Sequence, residues 1–271
     1  MTGILVVNAY LKSEKFDVLH RYLTAAAGES GIELRLRTNE EMLFSEETAD
    51  FVLFWDKDVN CARLLENRGM AVFNSARAIA LCDDKAKTYL ALEGTVPQPK
   101  TLTAPLSFGA ADYTVFIEQA AAQLGLPLVY KECYGSFGEQ VYLCRTVEEI
   151  KAHLSGKPFL LQEYIREAAG EDVRIEVVGG KVAAAMKRRN PADFRSNITN
   201  GGTAQPYEPT AQEAALAVQA CETLGLDFGG VDILDGRLVC EVNSNAHIIN
   251  LKNVTGIDVA PLIFEHLKKS L

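Results

Sequence analysis

Residues Gly230–Asn243 read GVDILDGRLVCEVN, two apolar-rich runs about an Asp235-Gly236 pair. An Asp-Gly pair suits a two-residue hairpin loop, whose central residues need positive φ. Counting outward from it pairs Leu234 with Arg237, Ile233 with Leu238, Asp232 with Val239 and Val231 with Cys240. Side chains alternate between the faces of a sheet. Val231, Ile233, Leu238, Cys240 and Val242 then share an apolar face, which reads as core. Asp232, Val239, Glu241 and Asn243 share the other face. Asp232 and Glu241 become diagonal neighbours, with backbones roughly 7–8 Å apart and side chains able to converge. Two carboxylates and an amide oxygen suit a hard cation such as Mg²⁺, which keeps waters and phosphate oxygens as its other ligands. A solvated outer face explains the same residues equally well, and the hairpin alone does not choose.

The composition of the whole chain narrows the field. Its 271 residues are 48% hydrophobic and 23% charged, ordinary globular usage with room for two or three compact units. A net charge of −9 argues against general nucleic-acid binding but not against a local basic pocket. The N-terminus lacks signal-peptide architecture. No apolar run reaches the roughly 20 residues that span a membrane. The six cysteines, Cys61, Cys82, Cys133, Cys144, Cys221 and Cys240, show no metal-ligand spacing. They read as reduced, mostly buried thiols of a cytoplasmic enzyme.

The first third alternates strand and helix: strands at Ile4–Asn8, Ile32–Leu36, Phe51–Trp55 and Gly69–Asn74, with a helix over Phe16–Ala27. This rhythm predicts a parallel sheet covered by helices. No Gly-rich fingerprint follows the first strand, which disfavours a dinucleotide site there. TVPQPKTLTAP, 95–105, reads as a connector. A second α+β unit follows, with a helix near Asp112–Leu124 and strands at Leu126–Cys133, Gln140–Cys144 and Phe159–Tyr164. Thr146 with Glu149 and Thr210 with Glu213 are capping-box helix starts, the second helix stopping near Gly225. Asp258–Lys269 is an amphipathic closing helix.

Two further stretches bear on the metal question. KECYGSFGEQV, Lys131–Val141, sets a lysine at a strand end before a turn with Gly135 and Gly138. Glycine permits close approach to a ligand, and lysine offers a point charge to phosphate. The turn joins two strands and lacks GK[ST], so it is neither a Walker A loop nor a dinucleotide loop; a plain hairpin with a solvated lysine remains open. Kinase motifs of the HRD and DFG type are absent. Arg174, Lys181, Lys187, Arg188, Arg189 and Arg195 crowd a short span of this acidic chain. Such cations oppose a polyanion and stabilise charge developing during phosphoryl transfer. A basic surface edge is the plainer account, but glycine turn, cations and hairpin together suit one ligand, Mg·ATP.

The order of these motifs resembles the ATP-grasp ligases, and most closely the RimK-type α-L-glutamate ligases. The resemblance runs from about Asp83 to Ala260. It is carried by DDK at 83–85, YKECYGSFGEQV, LLQEYIREAAGEDVRIEVVGGKVAAAMKRRN, DFRSNITNGGTA, and GVDILDGRLVCEVNSN followed by TGIDVA. It implies an α/β (α+β) ATP-grasp fold behind an N-terminal Rossmann-like domain. The units would be 1–94, a small subdomain with a glycine lid over 95–165, and a metal- and phosphate-binding subdomain over 166–271. By the same resemblance Lys85 and Lys131 contact ATP phosphates, and Gly135, Ser136 and Gly138 belong to the lid. Gln162, Glu163, Tyr164 and Ile165 line the adenine site, with Asp172 near the nucleotide. Arg188 and Arg195 face the transferred phosphoryl group, with Ser196 and Asn197 alongside. Asp232, Glu241 and Asn243 match the ligands of Mg²⁺, or of Mn²⁺ in its place.

The implied activity is ADP-forming carboxylate–amine ligation through an acyl phosphate, with an amino acid such as glutamate as one substrate. Its partners are a small-molecule or peptide carboxylate and an amine, with self-association left open. A regulatory ATP-binding module and a small-molecule kinase are the alternatives. The chain departs from the family in one place. Where RimK-type ligases continue after EVN with a small-Pro-Gly turn, this chain has SNAHIINLKNVTG, which reads as a loop beside the metal face. His247 in it is a candidate base or substrate contact. Asp56, Lys57 and Asp58, ending the third strand, are weaker substrate-side candidates.

Overall fold

The computed structural model describes residues 1–135 and 138–271, apart from the Thr199 side chain. The alternating first third forms a four-stranded parallel sheet from β1 (Thr2–Val7), β2 (Glu33–Thr38), β3 (Phe51–Phe54) and β4 (Val72–Phe73), ordered β2-β1-β3-β4. Ile4–Val6 and Phe51–Leu53 are fully buried, as strands covered on both faces must be. The covering helices are α1 (Glu14–Glu29), α2 (Asn39–Phe44) and α3 (Val59–Asn67). The sequence spacing reveals α1, but neither α2 nor α3. Two short helices, α4 (Ala76–Cys82) and α5 (Lys85–Leu92), lead onward with Ser75 and Asp84 as N-caps.

The stretch read as a connector contains β5 (Thr101–Thr103), which pairs antiparallel with β8 (Phe159–Glu163). Three residues are too few for periodicity to register. With β6 (Leu128–Glu132) and β7 (Val141–Cys144) these form a second sheet, ordered β5-β8-β6-β7. It packs Leu128, Tyr130, Phe159 and Leu161 against α6 (Thr114–Leu124) and α7 (Val147–Ala152). Thr146 caps α7 through the Glu149 backbone, but the Glu149 carboxylate takes the Arg145 N–H instead, so only half the expected box forms.

The third sheet is antiparallel: β11 (Thr203–Pro206), β10 (Lys181–Arg189), β9 (Glu171–Val178), β12 (Phe228–Leu234) and β13 (Leu238–Asn243), in that order. Helix α8 (Ala211–Leu224) covers its apolar face, and at its start both halves of the Thr210/Glu213 box are present. The stretch read as a loop after β13 contains α9 (Ile248–Thr255), and the chain closes with α10 (Ala260–Ser270). All six cysteines are free thiols, five of them buried and Cys240 half-buried. Among the described residues no helix is long and apolar enough to cross a membrane.

The first sheet is joined to the third through one core containing Leu19, Leu53 and Trp55 with Phe228, Ile248 and Phe264. Trp55 stacks on Phe228 with ring centroids 5.4 Å apart. Asn74 is fully buried between them. Its amide donates to the Phe228 and Ser244 carbonyls at 2.9 and 2.8 Å and accepts from the Asp227 and Phe228 N–H groups. Asn74→Ala leaves these four backbone groups without partners. A loss on the order of 3 kcal/mol is expected, read as a lowered urea midpoint; an unchanged midpoint would refute this clamp.

Candidate nucleotide and metal site

The hairpin of β12 and β13 differs from its expected register in an instructive way. Asp235 and Gly236 do adopt positive φ, 50° and 64°, and the Arg237 N–H closes the turn on the Leu234 carbonyl. Leu234, however, pairs with Leu238 and Ile233 with Val239, one residue beyond expectation. A bulge at Cys240 adds a second slip, so Asp232 lies directly opposite Glu241 and Gly230 opposite Asn243. Two single slips restore the parity of side-chain alternation. Asp232, Glu241 and Asn243 therefore keep their shared face and stand closer than diagonal pairing allows. Val239 and Cys240, lying between the slips, exchange faces. Val239 is 2% exposed in the core, whereas Cys240 turns toward the Lys131 ammonium at 3.5 Å.

The polar face carries alternating charge across three strands. Asp232 pairs in register with Arg174, and Asp172 with Arg188. Arg174 holds the Asp232 carboxylate with Nε and Nη2, the latter at 2.7 Å. Arg188 donates to Asp172 from Nε at 2.7 Å and reaches Asp232 at 3.0 Å. Ser196 donates its hydroxyl to Asp172. Burial pushes the Asp232 carboxyl up, but Arg174 and Arg188 outweigh it and hold the group below the usual carboxylate range. Burial also opposes ionisation of Glu241, and Lys85, Lys131 and Arg174 overcome it and the neighbouring Asp232 charge. Both carboxylates are thus anionic at neutral pH.

From the second sheet side, Lys131 on β6 and Lys85 at the start of α5 face this array. Lys85 Nζ lies 3.5 Å from Glu241 and donates to the Gly135 carbonyl at 3.1 Å. Arg195 is forked on Asp193 and donates to the Gly138 carbonyl at 2.6 Å. A Cβ on Gly138 would come within 2.8 Å of Asn197 Oδ1, so only glycine lets the turn sit this close.

These groups enclose a cleft of about 100 Å³ between the second and third sheets. It brings together Lys85, Lys131, Gly138, Gln162, Glu163, Tyr164, Ile165, Asp172, Arg188, Arg195, Ser196, Asn197, Asp232 and Glu241. Gln162 and Glu163 are anchored by Thr101 and the Lys100 N–H, the contacts that β5 supplies. Gly135 stays outside the lining and accepts from Lys85 at the edge of the site. Ser136 lies outside the described residues. Asn243 opens instead onto a second cavity of about 190 Å³, which shares Arg188, Asn197 and Glu241 with the first.

The sequence placed Arg174 in the basic cluster but gave it no role of its own, although its position two residues after Asp172 on one strand face was a usable signal. It missed Cys240, which no alternation could place on this face. Of the WDKD candidates, Asp56 and Lys57 line the second cavity, and Lys57 pairs with Asp83 at 3.0 Å. Asp58 caps α3 through the Cys61 N–H.

The donor set fits a divalent cation of the Mg²⁺ kind. Among the described residues no group of three or more His, Cys, Asp or Glu is placed to hold a metal by itself. Two ionised carboxylates on paired positions, with Asn243 two residues beyond Glu241 on the same strand face, leave room for water and phosphate ligands.

Behind Arg174 lies Glu176, 2% exposed, with Oε1 unpartnered. A Cβ at Gly230 would meet Glu176 at 3.0 Å and Arg174 at 3.1 Å, so glycine there makes room for both. Burial pushes the Glu176 carboxyl up to about 8, against the pull of Arg174. The unfolded chain loses this proton near the ordinary value of 4.5 and the folded chain near 8. The unfolded state binds fewer protons across that window, so stability falls as pH rises through it. Glu176→Gln is expected to flatten this decline. Urea midpoints at acid and alkaline pH for both proteins check it, and parallel declines would contradict it.

Comparison with known proteins agrees with the geometry. The RimK-like ATP-grasp domain model matches residues 82–267. The chain is 34% identical over 267 residues to a probable alpha-L-glutamate ligase of Azotobacter vinelandii, covering 94% of this chain and 85% of that protein. It is 35% identical over 251 residues to beta-citrylglutamate synthase B of Danio rerio, covering 85% of this chain and 60% of that one. The fold matches a D-alanine--D-alanine ligase from Bacillus anthracis complexed with ATP, with TM-score 0.77 and 16% identity over 99% of this chain and 97% of the other. The chain belongs to the RimK-like ATP-grasp family and is a carboxylate–amine ligase of that family.

Proposed function

We propose that the protein activates a carboxylate as its acyl phosphate with Mg·ATP and joins it to an amino acid, with glutamate the leading choice. The observation carrying this reading is that the two cavities meet at Arg188, Asn197 and Glu241. A nucleotide in one would direct its terminal phosphate toward a substrate in the other. Glu163, Tyr164 and Ile165 hold the adenine end, and Lys85 and Lys131 the phosphates. Asp232, Glu241 and Asn243 would hold Mg²⁺, which when bound offsets phosphate charge. The substrate carboxylate attacks the γ-phosphorus and ADP departs, with Arg188 and Arg195 opposing the charge that builds. Gly138, seated on Arg195 and Asn197, closes the cleft and protects the acyl phosphate from water. The amine then displaces phosphate. Residues 1–94 supply part of the substrate wall, 95–165 the nucleotide lid and 166–271 the metal and arginine face.

Incubation with Mg·ATP, L-glutamate and a panel of mono-, di- and tricarboxylates is expected to release ADP in step with an amide product seen by mass spectrometry. A stable phosphorylated metabolite, or ATP binding without turnover across the panel, would reject ligation.

A further inference from the structure

His247 stands where the chain departs from the family pattern after Asn243. It occupies the N-cap position of α9 without making a side-chain cap. Its ring lies edge-on to Phe16 of α1, with centroids 6.4 Å apart, and lines the larger cavity. Both ring nitrogens are buried and find no side-chain partner among the described residues, the backbones of Lys15 and His247 being the polar groups that act on the ring. Buried ring nitrogens without a side-chain partner are poorly satisfied, and a polar group of a bound substrate would complete their hydrogen bonding.

The groups sharing this cavity are Lys15 and His20 from α1, Asp56 and Lys57 after β3, and Arg174, Arg188 and Glu241 from the third sheet. Asp56 already accepts from the Asn8 amide and the Lys57 N–H, and Glu241 faces Lys85. Arg174 and Arg188 are held by Asp232 and Asp172. Burial, and then the Lys15 charge, push the His247 ring below its ordinary pKa, against the backbone groups of His247 and Lys15, which act to raise it. The positive end of the α9 dipole acts in the same direction. The imidazole is therefore a free base at neutral pH, four residues beyond the Asn243 end of the metal face. The cavity, at about 190 Å³, is below the roughly 300–1,000 Å³ of pockets for drug-sized ligands and suits a small metabolite.

We propose that His247 is the proton acceptor for the amine substrate, the ammonium group of a small amino acid bound in the larger cavity. The assignment rests on the acyl-phosphate reading above. An ammonium N–H bond breaks and its proton passes to an imidazole nitrogen, leaving imidazolium and free amine. The amine lone pair forms the C–N bond at the acyl-phosphate carbon. The C–O bond to phosphate breaks with its electrons on the phosphate oxygen, which takes the second amine proton. Imidazolium then returns its proton to solvent.

Hydroxylamine separates this step from activation, because it is largely unprotonated at neutral pH and needs no base. His247→Gln is expected to form hydroxamate from Mg·ATP, carboxylate and hydroxylamine at the wild-type rate. Ligation of the amino acid that wild type uses best, tried with L-glutamate first, should fall by about 10²-fold or more in kcat. The residual rate should climb with pH toward the pKa of the amine, while wild type stays flat above the histidine range. Trp55, the single tryptophan, lines the same cavity, and its fluorescence reads amino-acid affinity, which separates a binding loss from the loss in kcat. Wild-type ligation and pH profile in His247→Gln would overturn the assignment while leaving the ligase reading intact. Loss of hydroxamate formation in the variant would overturn it too, making His247 a support of the nucleotide site. Absence of hydroxamate with wild type would remove the acyl phosphate and this proposal together.

Discussion

Glu241→Gln is expected to lower ADP formation by on the order of 10²–10³-fold with little change in the unfolding midpoint. The Glu241 side chain is 33% exposed, and its ion-pair partner among the described residues, Lys85 at 3.5 Å, also donates to the Gly135 carbonyl, so the amide strands less charge than a change at Asp232 would. The substitution keeps size and hydrogen bonding but removes an anionic oxygen from the cation site. Asp232→Asn should lose activity to a similar extent, yet it is the less clean variant. Its side chain is 5% exposed and holds both Arg174 and Arg188, so neutralising it leaves two buried guanidinium groups short of charge. Titrating Mg²⁺ against ADP release distinguishes metal loss from general damage. Undiminished turnover with unchanged Mg²⁺ dependence in Glu241→Gln would remove it from the metal site.

Arg188→Ala should damage both stability and turnover. Arg188 is 5% exposed and lies between Asp172 and Asp232, each within ion-pair distance. Deleting one partner of a buried pair costs about 3–5 kcal/mol, because the remaining charge is left uncompensated. Here two carboxylates lose a partner, although Arg174 and Ser196 still hold one each. Activity should fall by a further factor on the order of 10²–10³, the usual cost of deleting a preorganised charge that faces the transition state. Arg188→Lys should recover part of the stability and less of the rate, since an ammonium cannot span both carboxylates as the planar fork does. Urea unfolding read beside ADP release tests both parts; a variant as stable and as fast as wild type would reject the placement.

The candidate site was largely legible in the sequence because its parts sit on strands, where alternation assigns faces. Asp232, Glu241 and Asn243 could be grouped from one hairpin, and Asp172 and Arg188 lie on neighbouring strands of the same sheet. Less legible was whatever depends on pairing irregularity or on short elements. The slips flanking Leu238–Cys240 reverse Val239 and Cys240 without any signal in their spacing. Strand β5 is three residues long, and the contacts of its Thr101 hydroxyl with Gln162 and of the preceding Lys100 N–H with Glu163 arise only once β8 lies beside it. Helix α9 was hidden in SNAHIINLKNVTG because its eight residues span little more than two turns.

The sequence by itself determined the class of chemistry. Lysine before a glycine turn, arginines following an apolar strand, and two carboxylates with an amide on one hairpin face together suit one ligand, Mg·ATP. Local spacing records residue types and their faces, and those suffice to name a ligand. Only the tertiary structure decided how the charges are balanced and where a second substrate would enter. Arg174 and Arg188 neutralise Asp232 across strands distant in sequence, and the larger cavity exists because α1, the end of β3 and the start of α9 converge. Those contacts follow from the burial of the shared core of Trp55, Phe228 and Ile248. Burial energy depends on which surfaces meet in three dimensions, and residue order along the chain does not encode that directly.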